Sequence, residues 1–428
     1  MNRRVIRGIG CLGLSVAALV LTAAADSQGP TPTLVGSAAS DWPQWRGPHR
    51  DGISAETGLL QAWPEGGPKL LWKVTGIGRG YSSPVVAAGK VFVTGDGDKE
   101  LVISAFTLDG QPCWKGANGE PWKESHPGAR SSCCFDDGKL YHLNAHGNLA
   151  CLDAATGHSV WAVNVLERYE AKNIMWGISE SVLVQGDRVF ATPAGAKGLM
   201  VALDKRTGAP VWAAPAIDGE CASYSSPILV QAGSRTLLIN CGAKNVFAVD
   251  SETGRLVWQL PQADPKSSVN TTPVLSGSLL LVSNSSRDSC AVFGARLGDD
   301  AAARVWTREL KIGHGGMVCV KGQLYGASSS GELRGWVKID AETGKPVQVK
   351  SAEELSDGSM VFADGRFYCL TTRGVMTLQE PTEAGFRTVG TFRLADGQVQ
   401  DAWAHPVLCN GRLYLRYNDT LSCYDVRK

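Results

Sequence analysis

One arrangement of apolar and polar positions repeats along the chain: a few small or polar residues, an apolar strand, a turn and a second apolar strand. The second strands can be read directly. They begin at Gly89-Lys90-Val91-Phe92, Gly138-Lys139-Leu140-Tyr141, Asp187-Arg188-Val189-Phe190, Ser234-Arg235-Thr236-Leu237, Gly277-Ser278-Leu279-Leu280, Gly322-Gln323-Leu324-Tyr325, Gly365-Arg366-Phe367-Tyr368 and Gly411-Arg412-Leu413-Tyr414, eight copies spaced 43 to 49 residues apart. A period of that size filled with short strands and turns predicts an all-β protein, an eight-bladed β-propeller of four-stranded antiparallel blades.

A second element follows several of these hairpins and ends in Asp-x-x-Thr-Gly-x-x-x-Trp: Asp153 to Trp161, Asp204 to Trp212 and Asp250 to Trp258. An Asp or Thr side chain can bond backbone N–H groups of a turn, Gly supplies the positive φ that closes it, and the Trp four residues on falls on an outer strand. There its ring can fill the wedge between blades. Trp72, Trp114 and Trp306 hold the same place in looser copies, whereas Asp340-x-x-Thr343-Gly344 leads to Gln348 and the seventh copy runs to Phe392.

The eighth copy stops after Cys423-Tyr424-Asp425, one strand short. Residues 70–74, Leu-Leu-Trp-Lys-Val, are expected to supply that strand and close the ring, leaving no sheet edge at the join. The expected organisation is a signal peptide over 1–25, a leader and arm over 26–68, and a single propeller domain over 69–428. Arg3, Arg4 and Arg7 before an apolar run that ends at Ala23-Ala24-Ala25 are the marks of secretion, so a periplasmic or secreted, monomeric protein with no transmembrane segment is expected. Lys and Arg total 42 against 41 Asp and Glu, which removes the basic footprint of a nucleic-acid binder. The 13 Trp and 50 Gly fit many short strands joined by tight turns. No Cys-x-x-Cys pair suggests zinc.

These repeats resemble the tryptophan-docking motifs of pyrroloquinoline quinone (PQQ)-dependent alcohol dehydrogenases and of the related propeller scaffold that assists outer-membrane protein assembly. The likeness runs from Leu70 to Lys428. Asp41-Trp42-Pro43-Gln44-Trp45-Arg46-Gly47-Pro48, followed by Arg50-Asp51-Gly52, resembles the leader of exported PQQ-like propellers of unassigned function. A structural role is expected for it, with Trp42 and Trp45 packed on the propeller.

Propeller function usually sits where the innermost strands begin, because one segment from every blade converges there. The segments are Tyr81-Ser82-Ser83-Pro84, Arg130-Ser131-Ser132-Cys133, Ile178-Ser179-Glu180-Ser181, Tyr224-Ser225-Ser226-Pro227, Asn270-Thr271-Thr272-Pro273, His314-Gly315-Gly316-Met317, Asp357-Gly358-Ser359-Met360 and Trp403-Ala404-His405-Pro406. Small middle residues leave room at the axis. The flanking Tyr81, Arg130, Trp176, Glu180, Tyr224, Asn270, His314, Trp403 and His405 are the expected channel-mouth residues, with Arg130 suited to an anionic ligand.

The dehydrogenase resemblance implies calcium held by a Glu and an Asn on different blades, for which Glu180 and Asn270 are the counterparts, and an Asp base on the next blade. That blade reads Ile312-Gly313-His314-Gly315-Gly316 with no carboxylate between Glu309 and Glu332. The base is missing unless His314 takes its part, and a hydrogen-bonding lining role is the reading favoured for His314. The Cys133-Cys134 pair invites comparison with the dehydrogenases' vicinal disulfide. Adjacent strand residues point to opposite faces, however, so two separate thiols are expected. Three classes of function stay open: a non-catalytic propeller binding a small molecule or a protein partner at the channel face, a quinoprotein dehydrogenase of alcohols or sugars using PQQ and calcium, and an envelope-assembly scaffold. No cofactor is required by the first and third.

Overall fold

A computed structural model describes residues 31–34, 41–263, 269, 271–285, 290–329, 333–350, 357–383, 385–397 and 399–428. The expected signal segment 1–25 and the expected ligand Asn270 lie outside the described residues. Eight antiparallel sheets are arranged in chain order, seven of four strands and one of five. The chain is an eight-bladed propeller with almost no helix, the described exception being the single turn Val165–Arg168.

Burial along each blade follows from its place between two others. The second and third strands are covered on both faces, so Leu279–Ser285 is buried throughout and Asn245–Asp250 nearly so. The outermost strands, such as Pro112–Ala117, alternate between exposed and half-buried. Outermost strands also break register, in several blades just before the docking residue, as between Ser159 and Trp161 or between Leu70 and Trp72. Such a bulge twists an open edge away from pairing.

The Trp residues join neighbouring blades by one repeated contact. The Trp161 indole N–H donates to the Lys205 carbonyl at 3.0 Å, and its ring covers Gly208 so closely that a Cβ there would lie 2.7 Å from a ring carbon. Gly208 also has φ +70°, so the Thr-Gly turn serves both its own hairpin and the neighbour's Trp. Trp114 on Ala154 (3.1 Å), Trp212 on Ser251 (3.2 Å) and Trp306 on Ala341 (2.9 Å) repeat the bond. Trp258 does not: the next blade's turn is Gly298-Asp299-Asp300-Ala301, without Thr-Gly, and the buried Trp258 indole N–H has no partner among the described residues.

Strand Lys69–Val74 pairs antiparallel with Thr420–Asp425, Leu70 facing Tyr424 and Trp72 facing Cys423. Trp72 then donates to Leu108 of the first blade at 2.7 Å. On the same joint, fully buried Arg416 of the last blade donates to the Thr94 carbonyl (2.6 Å), the Gly78 carbonyl (3.0 Å) and Ser82.

Residues 41–54 fill the channel beyond the mouth segments. Trp42 pairs with Val86, and the Phe135 N–H donates to Pro43 O at 2.7 Å. Ile53 bridges Phe362. Arg50 donates to the carbonyls of Ser181 (2.5 Å) and Val182 (3.1 Å), and Arg46 to that of Met317. Both guanidinium groups are buried. Leu59, Leu60 and Trp63 then carry the chain outward along blades seven and eight, with N–H bonds to Asp364 (2.9 Å), Val426 (2.7 Å) and Val389 (3.0 Å). Farther upstream, Thr33–Leu34 adds a fifth strand to the inner edge of Ile228–Ala232.

Candidate functional site

The mouth segments are fastened to one another through their small hydroxyl residues. The N–H of His405 donates to Ser83 Oγ (2.8 Å), that of Ser83 to Ser132 Oγ (3.0 Å), that of Ser132 to Ser181 Oγ (2.9 Å) and that of Ser181 to Ser226 Oγ (3.0 Å). This belt passes from blade eight to blade four. Ser serves here as an inter-blade acceptor as well as a small residue. On blade six Gly315 has a different cause: a Cβ there would fall 1.6 Å from the Gly358 carbonyl oxygen, so blades six and seven touch backbone to backbone.

The belt encloses a cavity of about 420 Å³ to which all eight blades contribute. Its wall is largely aromatic. The rings of Tyr81 and Trp403 lie 4.9 Å apart, Trp403 and His126 5.3 Å, His126 and Trp176 6.3 Å, and Trp176 and Tyr224 5.5 Å. His314 stacks nearly flat on Trp403, with centroids 4.3 Å apart and planes 14° apart. His314 is an exposed position lining the cavity, and the protein packed around its ring, with His126 beside it, lowers its pKa.

Two cations and one carboxylate are among the described lining groups: Arg130, Lys311 and Asp357. Arg130 donates to the backbone carbonyls of Gly128 (2.6 Å) and His126 (2.7 Å) and lies 5.2 Å from the Trp122 ring centre. None of the described ion pairs involves Arg130 or Lys311. Asp357 is pushed up to about 6 by burial, against the pull of the Gly358 N–H and of Lys311. The cavity is therefore aromatic with a cationic bias.

Of the sequence-selected mouth residues, Tyr81, Arg130, Trp176, Tyr224, His314 and Trp403 line this cavity. Glu180 and His405 are placed behind its wall. Alternation along the segment that leads into strand Leu183–Gln185 turns Ser179 and Ser181 inward and Glu180 into the blade body, where Asn240 Nδ2 is 3.3 Å from one carboxyl oxygen and the other has no partner among the described residues. Burial pushes the Glu180 carboxyl up to about 8, opposed by Thr192 and Arg50. His405 is buried, its Nε2 2.9 Å from the His314 carbonyl and its ring 4.5 Å from that of Trp45. The lining also includes residues not singled out from the sequence as flanking mouth residues, among them His126, Lys311, Asp357 and Trp45. Asp357 heads its mouth segment, and that position was the available signal. His126 and Lys311 sit in inter-blade connections without a motif.

The pair Cys133 and Cys134 are separate thiols. Cys133 packs with Val85 and Phe92, and Cys134 with Tyr141 and Val189, on opposite faces.

Of the two calcium ligands implied by the dehydrogenase resemblance, Asn270 lies outside the described residues and Glu180 does not line the cavity. The Glu180 carboxyl faces Asn240 and Arg50 inside the wall, and blade six offers an imidazole stacked on Trp403 where a base is needed. Among the described residues no three His, Cys, Asp or Glu side chains are grouped to hold a metal ion.

Comparison with known proteins agrees with this architecture. A relative named quinoprotein ethanol dehydrogenase, from Pseudomonas aeruginosa, is 29% identical over 143 residues, 32% of this chain. The matched stretch is only 22% of that relative's length. Among solved structures, quinohemoprotein alcohol dehydrogenase from Comamonas testosteroni superposes with TM-score 0.67 at 14% identity, covering 92% of this chain and 82% of that one. BamB from Moraxella catarrhalis gives 0.56 at 15%, covering 83% and 97%. At such identities the structures share the fold alone. The sequence profile described as outer membrane protein assembly factor BamB matches residues 102–348, more than half the chain, and with the docking contacts and blade count above the protein belongs to that family of PQQ-like repeat propellers.

Proposed function

We propose that this chain is an exported propeller that binds a small, flat, anionic molecule in the mouth cavity and does no chemistry on it. One observation carries the reading: a 420 Å³ cavity walled by Tyr81, Trp176, Tyr224 and Trp403 that also presents Arg130 and Lys311, neither in a described ion pair. Aromatic faces bind flat ligands through apolar area and ring stacking. A guanidinium held by backbone carbonyls keeps its full charge for an incoming carboxylate or sulfonate. The non-catalytic reading is supported by His314 lying flat on Trp403 and by the Glu180 carboxyl lying inside the wall, with His314, Asp357 and Lys311 as the titratable groups that line the cavity beside Arg130 and the tyrosines. Export rests on the basic and apolar start of the sequence.

A protein partner is the second reading. Met175, beside Trp176, is 75% exposed, an adaptable apolar contact of the kind protein-binding surfaces use, and the family's description names an assembly factor. A dehydrogenase using PQQ and calcium is the third, and the placement of Glu180 weighs against it.

Native mass spectrometry of protein purified from its own host separates the three. A copurified small anion absorbing in the near ultraviolet supports the first reading. Ligand-free protein with a stoichiometric polypeptide partner supports the second, and dye-linked alcohol oxidation with added PQQ and calcium supports the third.

A further inference from the structure

We infer that Trp45 is a specificity-determining residue of the mouth cavity, so that the N-terminal arm, not any blade, limits how deeply a ligand can enter. The inference rests on the proposed binding reading. Every other described residue lining the cavity belongs to a blade or to a connection between blades, whereas Trp45 reaches it from the arm that fills the channel beyond. The ring is held from three directions. Its indole N–H donates to Thr272 Oγ1 of blade five at 2.8 Å. Its face meets His405 of blade eight with centroids 4.5 Å apart. Its chain neighbours are tied on either side: Pro43 O accepts the Phe135 N–H of blade two at 2.7 Å, and buried Arg46 donates to Met317 of blade six.

A side chain fixed at that many points cannot swing aside for a longer ligand, so it acts as a floor. Buried arginines below it keep the floor in place. Arg50 bonds the Ser181 and Val182 carbonyls and the Gln44 side chain (3.0 Å), and that side chain in turn bonds Pro48 O (2.9 Å). A propeller channel without such an arm is open at both ends. Here the arm converts it into a cup whose depth is set by one indole.

The test uses a series of rod-shaped aromatic carboxylates, 2-naphthoate, biphenyl-4-carboxylate and p-terphenyl-4-carboxylate, titrated by calorimetry into the full mature chain and into Trp45→Ala and Trp45→Phe. Trp45→Phe keeps an aromatic ring and serves if the alanine variant does not fold. The expected result is a length cut-off in the native protein that moves to the next longer rod in the variants, with a gain of about tenfold or more for that rod, the scale on which pockets sense small changes of ligand bulk. A native protein that binds no rod while Trp45→Ala binds one upholds the floor and removes the anionic-ligand reading. Unchanged length preference in variants that still bind overturns the role of Trp45 and leaves the binding reading standing. Absence of binding in all three proteins overturns both.

Discussion

The backbone N–H of His405 donates to the hydroxyl of Ser83 across 2.8 Å, joining segments 322 residues apart in the chain. The same bond recurs from Ser83 to Ser132, Ser132 to Ser181 and Ser181 to Ser226, so the wall of the cavity is a run of inter-blade hydrogen bonds before it is a binding surface. Because these residues are buried, each lost acceptor strands a donor that water cannot reach.

Ser132→Ala removes the acceptor of the Ser83 N–H and the donor to the Ser83 carbonyl (2.9 Å). The expected cost is about 1–3 kcal/mol, the range for an unsatisfied buried polar group, read from the shift of the urea midpoint. A loss within error of zero would show that the belt follows from blade packing and does not reinforce it.

Trp161→Phe and Trp258→Phe test the docking bond. Both remove an indole and leave a ring, but only Trp161 has a partner carbonyl among the described residues. The Trp161 variant should therefore lose about 1 kcal/mol more than the Trp258 variant, measured by thermal or urea unfolding. Equal losses would place the contribution in ring packing alone.

Glu180→Gln should change how stability depends on pH. Burial raises the carboxyl from its ordinary 4.5 to about 8, so between those values the folded protein holds a proton that the unfolded chain has released. Stability from this group is full below about pH 4.5, falls as pH rises through the window, and stays low above about pH 8. The variant should match the native protein near pH 4.5 and exceed it by several degrees in Tm at pH 9. A constant difference across that range would mean Glu180 does not titrate there.

Arg130→Gln should weaken 2-naphthoate binding at least tenfold, a charge-assisted hydrogen bond contributing about 1.5–3 kcal/mol, with little change in Tm because its partners Gly128 and His126 offer only backbone carbonyls. Native affinity for this carboxylate should fall as salt is raised. Undiminished binding in the variant would direct attention to Lys311.

Oxidation at the Cys pair offers a further check. The two thiols pack in different clusters where strand Cys134–Asp136 begins, and burial pushes Cys134 up to about 11 and Cys133 higher still. Neither should react with a maleimide in the folded protein, and both should react after unfolding. A mass two daltons lower after oxidative purification would contradict this arrangement.

The blade count was legible in the sequence because it depends on local chemistry. A Gly-led turn and an apolar strand recur wherever a hairpin must form, and Asp-x-x-Thr-Gly records a turn that closes within a few residues. The aromatic and basic residues heading several mouth segments were legible for the same reason, since position within the repeat sets position along the channel. Which way a side chain faces was not. Ser179, Glu180 and Ser181 are consecutive, yet the serines face the cavity and the carboxyl lies in the wall, because one residue of register reverses the face. Nor did any spacing announce Trp45, whose leader lies outside the repeats.

Interactions over a few residues were enough to set the repeating unit, its hairpins, docking tryptophans and their number. The cup arises only in the folded ring, because its floor, belt and cationic lining join residues hundreds of positions apart, and such contacts exist only once the ring has closed and brought them to a common axis.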